Sequence, residues 1–194
     1  MLDLACGHGR HARVLAGRLG TVVGVDRSAA YLRKAIGTSR GEGAAYVRGD
    51  VRTLPFREGA FDAAYSWYSS LFMFDDRTNA ACLAEAARVL RRGGRLLVHH
   101  ANPATLALRP ADAARRTLAD GSVVEETSAF DAAAGVDRCA RRLVRRSGAV
   151  LAATAELRYY NRSEWGPLAV GAGLRLAHVN ETPQDLIVLL EKPA

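Results

Sequence analysis

At 194 residues and 20.8 kDa, the chain is long enough for one domain and barely for two. Its 49% hydrophobic and 24% charged residues and its mean hydropathy of −0.05 describe a globular protein, and no apolar stretch reaches the ~18 residues of a membrane-spanning helix. The net charge of +7 excludes little, because of 27 basic residues only Lys34 and Lys192 are lysines, in a chain rich in Ala and Gly.

In chain order, Met1–Ala5 is a short apolar run that stops at the turn Gly7-His8-Gly9. Ala12, Leu15, Ala16 and Leu19 recur at helical spacing. Thr21–Val25 is a second run, ending at Asp26, and Ser28 is placed to cap a helix carrying Leu32, Ala35 and Ile36. Ala45–Val47 ends at Gly49-Asp50, and Phe61–Tyr65 is the fourth strand. Asp75-Asp76 reads as a cap for a helix over Arg77–Leu90, which Gly93-Gly94 is expected to stop. Leu96–His99 is the fifth strand. Strands alternating with helices predict an α/β fold, a doubly wound and mostly parallel sheet of Rossmann-like type.

The pattern changes near Thr105. Leu106–Asp120 reads as a loose helix after Pro103 and Pro110. Ser122–Phe130, Arg138–Arg146 and Val150–Tyr160 then read as a three-stranded antiparallel meander with turns at Gly135 and Gly148. Glu164–Ala172 is a short helix, and Leu174–Asn180 with Leu186–Glu191 forms a closing hairpin. The predicted organisation is a cofactor-binding α/β core over 1–104, an antiparallel insertion over 105–160, and a helix and hairpin over 161–194 that complete the core sheet. The insertion is expected beside the C-terminal edge of the main sheet, as a substrate wall or a homodimer contact.

Cys6, Cys82 and Cys139 are odd in number and far apart, which argues against a disulfide framework or zinc site and for a cytoplasmic location. Asp3 stands where a signal peptide would need its positive and apolar start. No residues are assigned to a metal: His8 and His11 lack a third ligand.

Four features fall at strand ends. Asp3-Leu4-Ala5-Cys6-Gly7-His8-Gly9 sets an acid and two glycines at a strand-to-helix junction, where backbone approaches a ligand closely. Alone, this is also what any tight turn needs. Asp26 is placed to accept both hydroxyls of a ribose, Gly49-Asp50-Val51 to meet an adenine edge, and Ser66-Trp67-Tyr68 closes the fourth strand. Ligands of open α/β sheets bind outside the carboxyl ends of the strands.

With these residues in this order, the chain resembles the class I S-adenosylmethionine-dependent methyltransferases. The motif-bearing segments are Leu2–Arg10, Val25–Ser28, Gly49–Phe56, Phe61–Tyr65 and Glu85–Leu96. The insertion is similar to the auxiliary sheet of small-molecule methyltransferases. The resemblance implies S-adenosylmethionine as cofactor and a small-molecule acceptor. It places Gly7 and Gly9 against the methionine part, Asp3 at its amino group, Asp26 at the ribose, and Asp50 and the Val51 N–H at the adenine. Ser66 and Trp67 would lie near the sulfur, and Ala5, where the family commonly has glycine, and Arg27 join the cofactor-binding set. His99, His100 and Tyr68 are the candidate catalytic residues, one histidine serving as general base.

The chain opens inside its first strand, whereas the resemblance implies an N-terminal segment over the cofactor. Weak cofactor binding is therefore expected here, and tighter binding for a chain extended upstream by ~30–50 residues, unless a second subunit or Thr105–Asp120 covers the site. Three other readings stay open. Gly7–Ala12 with Asp26 also fits a dinucleotide fingerprint, hence a nicotinamide-dependent oxidoreductase. A nucleic-acid methyltransferase is suggested by the arginines of Arg138–Arg146, which equally suit a solvated strand face, and no proline-containing base-methylation motif follows the fourth strand. A non-catalytic cofactor-binding protein is the third.

Overall fold

In the computed structural model, which describes residues 1–39, 43–109 and 111–194, the apolar run at the start forms β1 (Leu2–Leu4). It lies near the centre of a seven-stranded sheet. Chain order continues with α1 (Arg10–Leu19), β2 (Val22–Asp26), α2 (Ala29–Thr38), β3 (Ala44–Arg48), β4 (Phe61–Ser66), α3 (Asp76–Val89) and β5 (Leu90–Ala101). A short α4 (Pro103–Leu106) leads to β6 (Asp112–Thr117), β7 (Val123–Asp131), β8 (Val136–Val144) and β9 (Val150–Arg158). Last come α5 (Trp165–Gly171), β10 (Arg175–Glu181) and β11 (Asp185–Glu191).

The main sheet has the order β10-β11-β5-β4-β1-β2-β3. β1 to β5 run parallel, and β11 pairs antiparallel with both β5 and β10. Leu96 and Val98 of β5 and Leu186, Val188 and Leu190 of β11 are completely buried. They pack with Leu83 and Ala86 of α3 and Trp165 and Ala169 of α5 in one core. The opposite face carries α1, whose Ala12 and Ala16 pack with Val22 and Tyr65. Beside α1 an apolar groove of about 450 Å³ runs over Ala63, Leu97 and Leu189. Among the described residues, no helix is long and apolar enough to cross a membrane.

The predicted caps are present. The Ser28 hydroxyl accepts from the Tyr31 N–H, and the Asp75 carboxylate accepts from Thr78 N–H at 2.7 Å. Each satisfies a donor that the first helical turn leaves open.

Two expectations are corrected. The segment after Thr105 is not a loose helix: α4 ends at Leu106, and Asp112–Thr117 is a strand that makes the antiparallel sheet four-stranded, β6-β7-β8-β9. Every side chain of β6 is exposed, so a helix there would have no apolar face to bury, whereas a strand satisfies its backbone against β7. Pro110 lies outside the described residues. Gly93-Gly94 does not stop α3 either. The helix ends at Val89 and the glycines lie within β5, where a register shift against β4 between Phe61 and Ala63 absorbs the extra length.

The antiparallel sheet is tied down at the end of β9. Arg158 N–H donates to the Phe72 carbonyl at 2.9 Å, and its guanidinium pairs with Asp76 at 3.0 Å and with Glu164. Behind it, Trp165 is fully buried against Phe72, Tyr160 and His100. Trp165→Ala is expected to lower unfolding stability by about 3–5 kcal/mol, read from the urea midpoint.

Candidate functional site

The turn after β1 is left-handed at Ala5 (φ 54), Gly7 (φ 56) and Gly9 (φ 73). A Cβ at Gly9 would stand 2.4 Å from the Tyr46 hydroxyl, so space and φ both require glycine. At Gly7 only φ does, and the space beside it is open. Ala5 holds the same conformation with a side chain, at a cost of about 1–3 kcal/mol. The turn is held by Cys6 N–H to the Val25 carbonyl at 3.0 Å and by Asp26, which ends β2. Asp26 Oδ2 accepts from Gly7 N–H and Oδ1 from Ser28 N–H, both at 2.8 Å. Each oxygen keeps acceptor capacity for a ligand hydroxyl.

Asp50, just beyond β3, is gripped by the Arg52 guanidinium at 2.7 and 3.0 Å, which holds its carboxyl down at about 2. Ala5, Asp26, Arg27, Asp50 and Val51 line one cavity of about 330 Å³. Ser28, Gly49, Tyr31, Ser70, Met73 and Phe74 complete it. The last four were not found in the sequence. Tyr31 and Met73 are large and half exposed, 56% and 48%, a signal visible only once the loops are folded.

Asp3 lies under the turn, 3% exposed, with Oδ2 lacking any hydrogen-bond partner. Burial raises its pKa to about 7; the Tyr65 hydroxyl, within reach but out of hydrogen-bond geometry, opposes this, and the Asp26 charge adds to it.

A second cavity of about 640 Å³ shares Tyr31 and Met73 with the first. Its far wall is the antiparallel sheet, through Ser128, Cys139, Ala153 and Ala155. The antiparallel sheet thus faces Tyr31 and Met73 across one cavity.

The structure does not bring the predicted catalytic residues into either cavity. His99 Nδ1 accepts from the Tyr68 N–H at 3.2 Å, which leaves Nε2 to carry the proton toward Asp185 at 2.9 Å. Its ring stacks on Trp67 with centroids 4.3 Å apart. Both His99 nitrogens are therefore engaged within the fold. The His100 ring is completely buried on the opposite face of β5 between Phe72 and Trp165, and burial pushes its pKa down to about 4. Neighbouring residues of a strand face opposite ways, so the pair could not serve one site. Tyr68 is 60% exposed at φ 57 with Arg10 over its ring. Trp67 faces the apolar groove beside His11, and Ser66 is fully buried.

The arginines of β8 are spent on ion pairs. Arg138 pairs with Asp131 and Glu156, Arg141 with Glu126, and Arg142 with Glu125 at 3.0 Å. From β6, Arg115 and Arg116 approach the same two glutamates, each at 3.7 Å. Each of the two β7 glutamates is thus flanked by arginines from both neighbouring strands on an exposed face.

Asp3 makes a prediction about pH. Its pKa rises from 3.8 in the free side chain to about 7 in the fold, so between these values the folded chain holds a proton that the unfolded chain has released. Stability from this group is full below pH ~4 and lost as pH rises toward ~7. Asp3→Asn should flatten that slope, worth on the order of a few kcal/mol, in urea titrations across this range.

Residues 1–94 match the family model of a methyltransferase domain. Over 103 residues the chain is 35% identical to the O-methyltransferase cnsE of Penicillium expansum, covering 50% of this chain and 36% of that protein. The chain spans only 28 to 39% of the curated relatives it matches. Its fold superposes on the methyltransferase CcbJ of Streptomyces caelestis with a TM-score of 0.83 at 24% identity, covering 100% of this chain and 83% of that one. The sugar N-methyltransferase KedS8 of Streptoalloteichus sp. ATCC 53650 gives 0.80 at 20% identity, covering 100% and 79%. The turn at Ala5–Gly9 and the carboxylates at the ends of β2 and β3 all fall within residues 1–94, the part of the chain that matches a methyltransferase domain, on a fold shared with solved methyltransferases.

Proposed function

We propose that this chain transfers a methyl group from S-adenosylmethionine to a small-molecule acceptor held between Tyr31 and Met73 on one side and the antiparallel sheet on the other. The observation that carries this is the pair of adjoining cavities at one edge of the parallel sheet, the first lined by Asp26, Asp50 and Val51. The residues fit the cofactor. Asp3 offers a buried carboxyl oxygen without a partner, suited to a cationic amino group, and the open side of Gly7 leaves room for the methionine part. Asp26 is read as the ribose acceptor, with Arg27 beside it, and Asp50 with the Val51 N–H as the adenine contacts.

When bound, S-adenosylmethionine supplies an electrophilic methyl on a positively charged sulfur. The chain's own task is then positioning. Holding acceptor and methyl in line and excluding water can lower the barrier by ~7–11 kcal/mol in favourable cases. The antiparallel sheet, latched through Arg158, supplies a fixed wall for that purpose.

Further readings rest on less. The three-part division at 104 and 160 is supported by the separate antiparallel sheet. A cytoplasmic location is supported by three free cysteines. Exposed Val150 and Leu151 on β9 support contact with a second copy through the insertion.

Two measurements test the assignment. Asp26→Ala removes acceptors from the ligand and from Gly7 and Ser28 alike, and should weaken S-adenosylmethionine binding by ~1.5–3 kcal/mol in calorimetry. Unchanged affinity would remove Asp26 from the site. Binding near pH 6 should also release a proton as the ligand's ammonium ionises Asp3, shown by a dependence of binding heat on buffer ionisation enthalpy that Asp3→Asn abolishes.

A further inference from the structure

Next to Ser128 and Cys139 in the wall of the larger cavity lies a buried acid. Asp137 of β8 is 6% exposed and flanked in register by Phe130 and Leu157. No cation pairs with it among the described residues, although the chain carries a net charge of +7. Its carboxylate is met by two neutral donors. The Ser128 hydroxyl from β7 lies 2.7 and 2.9 Å from its two oxygens, and the Cys139 thiol 3.5 Å from Oδ2. Ser128 and Cys139 line the cavity, and Asp137 stands behind them.

This arrangement dictates what the wall can bind. A serine hydroxyl has one proton, and that of Ser128 is committed to Asp137, so it can offer the cavity only lone pairs. A ligand group seated on it must therefore be a hydrogen-bond donor. A buried carboxylate without a countercharge further favours a donor that is positively charged. The other charges on this wall do not alter the balance: Glu126 is matched by Arg141 and approached by Arg116, while Asp112 at the exposed rim adds a negative charge.

We infer that the Ser128–Asp137 pair is the acceptor's nitrogen site, and that the acceptor is an amine bound as its ammonium ion. This rests on the methyl-transfer reading above and deepens it, since the relatives include both an O-methyltransferase and an N-methyltransferase. The pair also gives the amine's proton a destination. One N–H proton passes to Ser128 Oγ as the serine's own proton passes to Asp137, leaving a neutral amine with its lone pair and a protonated carboxyl. Ser128 touches the acceptor; Asp137 is a positioning residue acting through it.

The test uses S-adenosylhomocysteine to fill the cofactor site and compares glucosamine with glucose, which differ at one position by an ammonium in place of a hydroxyl. Calorimetry on the whole chain should show S-adenosylhomocysteine binding equally to wild type, Asp137→Asn and Ser128→Ala, which also reports that the variants fold. Glucosamine should then bind wild type about tenfold more tightly than glucose, the margin of a charge-assisted over a neutral hydrogen bond. Both substitutions should erase that preference. Cofactor binding with equal affinity for the two sugars, or with neither sugar bound, overturns the amine assignment alone. A preference that survives both substitutions overturns its placement on this pair. Absence of cofactor binding in wild type overturns the methyl-transfer reading and this one with it.

Discussion

The Asp26 carboxylate is bound at once to the Gly7 N–H of the loop after β1 and the Ser28 N–H of the loop after β2. These loops shape the cavity lined by Ala5, Asp26 and Asp50, and this one carboxylate ties them to each other. The two strands are already in parallel register, Leu4 opposite Val25, so the carboxylate needs only to fix the last few residues. That local over-determination is also what lets Ala5 persist in a left-handed conformation. A turn less firmly held would relax away from the strained angle, and the cavity floor would shift with it.

The two sheets divide the work. The parallel sheet presents backbone turns and strand-end carboxylates, a surface suited to a nucleoside and an amino acid. The antiparallel sheet presents a flat wall of small and polar side chains with one buried acid. Arg158 joins them, pairing with Asp76 at the start of α3 and Glu164 before α5 while its backbone bonds Phe72. A cavity bounded by separate elements needs such a clamp, because its size is otherwise set by whatever motion one sheet makes against the other.

The parallel core was legible because its strands are near-continuous apolar runs broken by Gly and Asp, and the caps at Ser28 and Asp75 are local chemistry. β6 was not legible. Asp112–Thr117 is exposed throughout and carries no period, and only pairing with β7 makes it a strand. Gly93 and Gly94 misled for the opposite reason: glycine after a helix ordinarily marks its end, and here it marks an irregularity inside β5. Of the site, the residues at the ends of β1, β2 and β3 could be read in order along the chain. Ser128 and Asp137 could not, since their meeting depends on the register of β7 against β8, nine residues apart in sequence.

The glutamate–arginine pairs of the antiparallel sheet bear on how that sheet finds its alignment. Strands polar on both faces have no apolar stripe to oppose a one-residue slip. Here Glu125 and Glu126 stand opposite Arg142 and Arg141, with Arg115 opposite Glu125 on the other side. Sliding β8 by two residues, which would keep every side chain on its own face, would place Cys139 or Leu143 where Arg141 now meets Glu126. The charges therefore act as a proofreading device for strand alignment, and one that depends on ionic strength, since exposed pairs are screened by salt. Folding in concentrated salt would relax that check on a sheet whose every functional contact, Ser128 to Asp137 included, exists in one alignment only.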